Sequence, residues 1–340
     1  LKTIFLTGGC GFIGSNFVKY LFDNYDYKII VLDALTYASC LDNIPQNIKN
    51  DSRFEFWFGN IRSSDLVNKL MAKSDVVVHM AAESHITRSI FDNVIFYETD
   101  VLGTQSVANA VLNNPNIERF IHISTSEVYG TALEIPMTET HPLYPKTPYA
   151  SAKAGADRLV YSYWATYNIP AIIIRFFNAY GQNQHLEKVI PRFITSALLD
   201  KPLTIHGSGE YTRDWNYVGD LCQALDRVLH ISLDKVNGQV FNIGTGKDTS
   251  IKTIAEMILD KLHKPKSLIT YMGERLGQVD RHISSTDKAL EVVGWKAETD
   301  FNSGLDKTLR WYMNNYDWWQ KLLWMKSVAT INKDGKTELY

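Results

Sequence analysis

TGGCGFIG, residues 7–14, lies between the apolar run TIFLT (3–7) and an amphipathic stretch over 12–23. Its glycines Gly8, Gly11 and Gly14 form G-x-x-G-x-x-G where a strand turns into a helix. Glycine allows a tight turn and close backbone approach, and the N-terminus of the following helix attracts a pyrophosphate. A second apolar run, KIIVL (28–32), ends in Asp33, nineteen residues after Gly14. A carboxylate there accepts hydrogen bonds from an adenosine ribose and repels a 2′-phosphate. The pattern predicts a dinucleotide site for NAD rather than NADP. A glycine turn alone would be weak; the strand before it and the acid after it give it weight.

The same rhythm continues outward. FEFWF (54–58), DVVVH (75–79), RFIHIS (119–124) and AIIIRF (171–176) read as strands, with helical patterns over 64–72, 93–113 and 149–167 between them. Short continuous apolar strands separated by helices indicate a parallel sheet covered on both faces. The predicted class is α/β, a doubly wound parallel sheet of Rossmann type with a smaller C-terminal lobe. Beyond residue 180 the rhythm loosens. Helical patterns cover 188–199, 250–262 and 303–316, and PLTIHG (202–207) and QVFNIG (239–244) read as short strands. We assign the dinucleotide-binding domain to 1–180, with chain from about 210–245 returning to it, and the smaller lobe to 181–318. The tail, 319–340, has no assigned role and is expected to be partly mobile.

Composition narrows the function class. The 340 residues are 45% hydrophobic and 21% charged with net charge −2, which carries no footprint of a nucleic-acid binder. No apolar run approaches the roughly 18 residues of a membrane span. LKTIFLTGG at the start reads as strand and loop rather than as a signal peptide. Three scattered cysteines, Cys10, Cys40 and Cys222, predict no disulfide framework and a cytoplasmic location. The histidines show no ligand spacing, so no metal is expected.

Two stretches carry candidate chemistry. ISTSEVYG (123–130) delivers Thr125, Ser126 and Glu127 to the mouth of the sheet. Tyr149 and Lys153, as Y-x-x-x-K, share one face at the start of a helix. An ammonium beside a phenol lowers its pKa, which suits Tyr149 as a base towards a sugar hydroxyl.

TGGCGFIG, HMAAESHITRSI, ISTSEVYG, YASAK, FFNAYG, EKVIPRFI and RDWNYV occur in the order of the extended short-chain dehydrogenase/reductases. Among these the chain resembles the nucleotide-sugar 4,6-dehydratases, the dTDP-glucose enzymes in particular, over roughly residues 3–315. The resemblance implies oxidation at C4 by Tyr149 with Thr125 and Lys153, loss of water across C5–C6 with Glu127 as base, and hydride return to C6. It implies cofactor contacts from Phe12 and Ile13 in the glycine loop, from Asn60 and Ile61 near the adenine, and from Ala81 and Ala82. Lys153 and Tyr149 would meet the nicotinamide ribose. For the nucleotide-diphosphate sugar it implies Ser84, His85, Arg88, Asn178, Lys188 and Asn216, with Arg213 and Arg275 at the diphosphate. It makes 181–318 the nucleotide-sugar lobe, and it implies a homodimer through the helices at 93–113 and 149–167. One position departs from the pattern. The dTDP-glucose enzymes carry Thr-Asp-Glu with the Asp as acid, whereas this chain has Ser126, and a hydroxyl is too weak an acid for that role. Ser126, together with ERLGQVDRHIS (274–284), keeps open a nucleotide-sugar epimerase, a UDP-uronate decarboxylase, or a dehydratase that stops at a 5,6-ene. If water is lost, Glu127 must serve as both base and acid.

Overall fold

The computed structural model describes residues 2–340. The chain runs through β1 (Thr3–Thr7), β2 (Lys28–Asp33), β3 (Phe54–Phe58), β4 (Val76–His79), β5 (Arg119–Thr125) and β6 (Ala171–Phe176). There follow β7 (Asn178–Tyr180), β8 (Leu203–His206), β9 (Thr212–Tyr217), β10 (Val240–Ile243), β11 (Asp248–Ser250) and β12 (Ile269–Met272). At the end stand β13 (Ala329–Ile331) and β14 (Thr337–Leu339). Seven of these form one sheet in the order β10-β6-β5-β4-β1-β2-β3, every pair parallel.

The pleat explains why these strands are apolar at successive residues. Neighbouring side chains on a strand face opposite ways, so a sheet covered twice needs both sets buried. Ile4 and Leu6 of β1 join one core with Phe17 and Leu21 of the helix Phe12–Asn24 and Leu225 of the helix Val218–His230. Phe5, between them, joins the opposite core with Leu70, Val107 and Val160 from the helices Ser64–Met71, Thr104–Asn113 and Pro148–Tyr167. Each such side chain contributes roughly 1.5–3 kcal/mol when fully buried. A one-residue slip would exchange the two sets, so the register is fixed.

β1 is flanked by β2 on one side and β4 on the other, and the winding reverses there. Ligands bind such sheets in the crevice at the carboxyl ends of these strands. β10, from QVFNIG, pairs with β6 in register Val240↔Ile173, so this part of the chain does return to the main sheet. The smaller lobe carries the sheets β11-β9-β7 and β12-β8 around a third core, with Ile190, Phe193, Ile258, Leu305 and Tyr312 among its residues.

Two expectations are modified. The helix read over 93–113 is interrupted: after Val94–Phe96 comes a π-helical stretch, Tyr97–Gly103, before Thr104–Asn113. The widened turn carries Asp100, which is buried. The tail also has a definite place. Trp319 is 1% exposed in the third core, and β13 and β14 pair as an antiparallel hairpin.

Candidate active site

The glycine loop is shaped for close approach. Gly8 has φ +74°, and a Cβ there would stand 2.7 Å from Ala81 N. A Cβ on Gly14 would stand 2.2 Å from Gly8 O. Gly11 caps the helix Phe12–Asn24 with no side chain on its first N–H groups, which leaves those donors to a ligand. Beside the loop is a cavity of about 240 Å³, lined by Gly8, Gly11, Phe12, Ile13, Gly14, Asp33, Asn60, Ile61, Ala81 and Ala82. Asp33 is held by Cys10 N (2.8 Å), Leu35 N (2.9 Å) and Ser39 Oγ (2.9 Å), which aims its carboxylate along the cavity wall. These residues fit a dinucleotide: a glycine cradle that a Cβ would fill, free helix N–H groups, and an acid at the end of β2.

A second cavity, of about 360 Å³, shares Phe12, Ile13 and Ala82 with the first. β5 runs out into it and ends in the short turn Ser126–Tyr129. Thr125, Ser126 and Glu127 line it, and so do Tyr149 and Lys153. Thr147 caps the helix Pro148–Tyr167 through Ala150 N at 3.2 Å, and Pro148 opens it, which sets Tyr149 in its first turn. Lys153 Nζ donates to Ile123 O at 2.7 Å, tying helix to strand.

Burial pushes the Tyr149 phenol well above its ordinary value; Asp100 adds to this, and the Thr125 hydroxyl beside it opposes it. The expected depression by Lys153 is not what this geometry gives. Burial also lowers Lys153, against the pull of Asp100 and Asp157. Asp100 is itself raised to about 7 by burial, with Lys153 opposing. Its Oδ1 accepts from Glu83 N at 2.8 Å, and its Oδ2 has no partner. Asp100 is therefore a titratable neighbour of the Tyr–Lys pair that sequence reading missed. No signal in the sequence singled it out, since Glu98 and several hydroxyl and amide residues share the segment 93–113.

Ser126 is turned towards a second missed residue. Its Oγ lies 3.2 Å from His282 Nδ1, while His282 Nε2 lies 2.7 Å from Gly130 O. A carbonyl only accepts, so this bonding assigns the proton to Nε2 and leaves Nδ1 to accept from Ser126. Burial lowers His282 to about 4 and keeps it neutral. Glu127 Oε1 lies 3.8 Å from the same Nδ1.

On the substrate side, Ser84, His85, Asn178, Lys188, Arg213 and Arg275 line the larger cavity. Arg213 is buried, donates to Thr212 O at 2.8 Å, and has no carboxylate partner among the described residues. Burial lowers it to about 10. A desolvated guanidinium of this kind suits a dianionic ligand. His85 is a structural hydrogen-bonder: its Nδ1 accepts from Arg88 N at 3.3 Å at the start of the helix Ile86–Phe91, and burial lowers its pKa. Lys188 donates to Ser84 O at 2.6 Å.

Two expected residues do not reach the cavity. Arg88 lies over the Tyr37 ring, 4.0 Å from its centroid, and donates to Glu187 at 2.9 Å. Asn216 is fully buried with neither amide atom bonded. The reason is strand parity. Arg213 and Trp215 line the cavity from β9, so Asn216, one residue on, faces the other way. The same alternation would have pointed to Trp215.

With this geometry in hand, the comparisons are consistent. The sequence model of the family described as GDP-mannose 4,6 dehydratase matches residues 5–308. The low-salt glycan biosynthesis protein Agl12 of Haloferax volcanii is 41% identical over 312 residues, 92% of this chain and 99% of that protein. A dTDP-glucose 4,6-dehydratase of Actinoplanes sp. is 35% identical over 322 residues, 93% of this chain and 99% of that one. The crystal structure of DesIV, a dTDP-glucose 4,6-dehydratase of Streptomyces venezuelae with NAD bound, matches with TM-score 0.90 and 36% identity over 94% of this chain and 99% of that one. The chain belongs to the nucleotide-sugar 4,6-dehydratases of the extended short-chain dehydrogenase/reductases, enzymes that work with NAD.

Proposed function

We propose that this dehydratase acts on a dTDP- or UDP-hexose and that Glu127 handles both protons of the elimination. Bound NAD supplies the hydride acceptor for C4 and the donor for C6. Tyr149, acting as the phenolate with Thr125 beside it, takes the proton of the C4 hydroxyl as hydride leaves C4; Lys153 one turn on, together with the cationic nicotinamide once bound, would favour that phenolate over the buried phenol. The 4-keto group acidifies the C5 proton. Glu127 removes that proton and passes it to the departing C6 hydroxyl, so water leaves from one face. The product is a 4-keto-6-deoxy sugar.

One observation carries the double role. The Ser126 hydroxyl is committed to His282. Of the two carboxylates on the cavity wall, Glu187 is taken by Tyr37 and Arg88, both at 2.9 Å, which leaves Glu127. Arg213 and Arg275 hold the diphosphate in this reading, and Ser84, Asn178 and Lys188 contact the sugar and the adjoining nucleotide. The names of the Actinoplanes and Streptomyces relatives support dTDP-glucose as the first substrate to try. Incubation with dTDP-, UDP-, GDP- and CDP-hexoses, read by mass spectrometry, tests it. Loss of water from a dTDP- or UDP-hexose is expected; carbon dioxide from a UDP-uronate would replace the dehydratase reading by a decarboxylase.

The dimer belongs to the same proposal. Val94, Tyr97, Leu102, Tyr161 and Tyr167 are exposed on the segments 94–113 and 148–167, an apolar face suited to a second copy. We keep the division into 1–180 and 181–318, supported by the separate third core, with the tail 319–340 joined to that core through Trp319, and a cytoplasmic location, supported by three cysteines that are free.

A further inference from the structure

Segment 326–340 lies beyond residue 308, where the family match ends. Its hairpin turns at Asn332, whose Oδ1 accepts from Asp334 N (3.0 Å) and Lys336 N (2.9 Å). Backbone bonds dock it: Lys333 N donates to Glu274 O at 2.8 Å and Leu276 N to Ile331 O at 3.2 Å. The hairpin thereby braces the loop that carries Arg275. At its open end, Val328 N donates to Tyr340 O at 2.9 Å and fixes the position of Tyr340.

The Tyr340 ring lines the larger cavity. It meets His206 edge to face, with centroids 4.4 Å apart at 78°, and the Arg192 guanidinium lies 4.2 Å from its centroid. Arg192 is held by donating to Lys326 O, so the tail positions both the ring and its cationic neighbour.

The order of groups along the cavity says what this end receives. Arg213 is an electrostatic neighbour of both Glu127 and Arg275, and His206 of both Arg275 and Arg192. With the hexose at Glu127 and the diphosphate at the two arginines, the next position, at His206 and Tyr340, falls to the nucleoside. A nucleobase is a flat π-system that gains from aromatic contact whatever its sequence of donors and acceptors.

We propose that Tyr340 is a substrate-binding residue, its ring forming with His206 the wall against which the nucleobase of the substrate packs. The inference rests on reading this cavity as the nucleotide-sugar site. It gives a segment outside the matched family core a share in nucleotide affinity.

The test uses the full chain with Tyr340→Ala and Tyr340→Phe, titrated calorimetrically with dTDP, UDP and GDP. Tyr340→Ala should weaken the nucleoside diphosphate that the wild type binds by about tenfold and raise KM in step, with kcat held within about twofold. Tyr340→Phe should stay within about twofold of wild type, since the ring rather than the hydroxyl makes the wall. In the wild type, the same ligand should slow amide exchange over 329–339. Binding by Tyr340→Ala within about twofold of wild type overturns the proposal, and so does unchanged exchange in the hairpin. A wild type that holds NAD but binds none of the three diphosphates overturns the nucleotide-sugar reading beneath it instead.

Discussion

Glu127 and Ser126 stand side by side at the end of β5, and their neighbours separate their roles. Glu127→Gln keeps the shape and removes the base. Substrate should still be oxidised at C4, seen as absorbance of reduced cofactor on mixing, while water loss falls by about 10²–10⁴-fold. Ser126→Ala removes one neutral hydrogen bond to His282, about 1 kcal/mol, so elimination should slow by about tenfold or less. Water release by Glu127→Gln at the wild-type rate would remove Glu127 from the elimination. Tyr149→Phe should nearly abolish turnover with KM changed only a few-fold, because the lost group acts in the transition state; steady-state kinetics decide it, and near-normal kcat would deny Tyr149 the part of base. These residues were legible because local motifs carry them. His282 was not, since it stands 156 positions from Ser126 and only the fold joins them. Asn216 was misplaced because a motif read as a string ignores which face each residue takes on β9. Asp100 was passed over because a helical pattern does not announce a π-helical turn.

At the scale of elements, the strands were the clearest signal. TIFLT, FEFWF and AIIIRF match β1, β3 and β6 residue for residue. β1 and β6 are buried along their whole length, and β3, the half-buried edge strand, is bounded by Arg53 and Gly59. The hairpin β13–β14 lacked that signal. Its residues are largely polar, and its place depends on backbone bonds to 274–276, far away in sequence. The helices add a prediction. Leu102 is 54% exposed on the π-helical stretch, and Tyr161 is 40% exposed on the helix Pro148–Tyr167 packed beside it. A charge placed at the centre of an apolar contact between two copies is left desolvated and unpaired. If two copies pair through this face as proposed, the wild type should run as a dimer by light scattering and Leu102→Glu with Tyr161→Glu as a monomer, with the far-ultraviolet circular dichroism unchanged. A dimer that survives both changes would place the interface elsewhere.

At the scale of the whole molecule, buried histidines govern the response to acid. Burial lowers His79 to about 3, His185, His206 and His282 each to about 4, and His85 and His122 well below the usual range. Each is neutral when folded and takes up a proton on unfolding once the pH is below its ordinary value, about 6.5. The stability these groups contribute is complete above about 6.5 and is lost as pH falls towards the folded values near 4. Three carboxyls work the other way: Asp100, Glu83 and Asp214 are raised by burial, so the fold holds their protons more tightly than the open chain. The six imidazoles outnumber these carboxyls, so unfolding takes up protons on balance in that window, each proton worth about 1.4 kcal/mol per pH unit. Unfolding free energy from urea titrations should thus drop steadily between about pH 6.5 and 4.5. His122 offers a single-site check, because it is fully buried and neither ring nitrogen has a hydrogen-bond partner. His122→Leu leaves no partner unpaired and removes one of the six, so the slope should shrink by about one proton. A stability that stays flat across the window, or a slope unchanged in His122→Leu, would mean that the imidazoles are charged inside the fold.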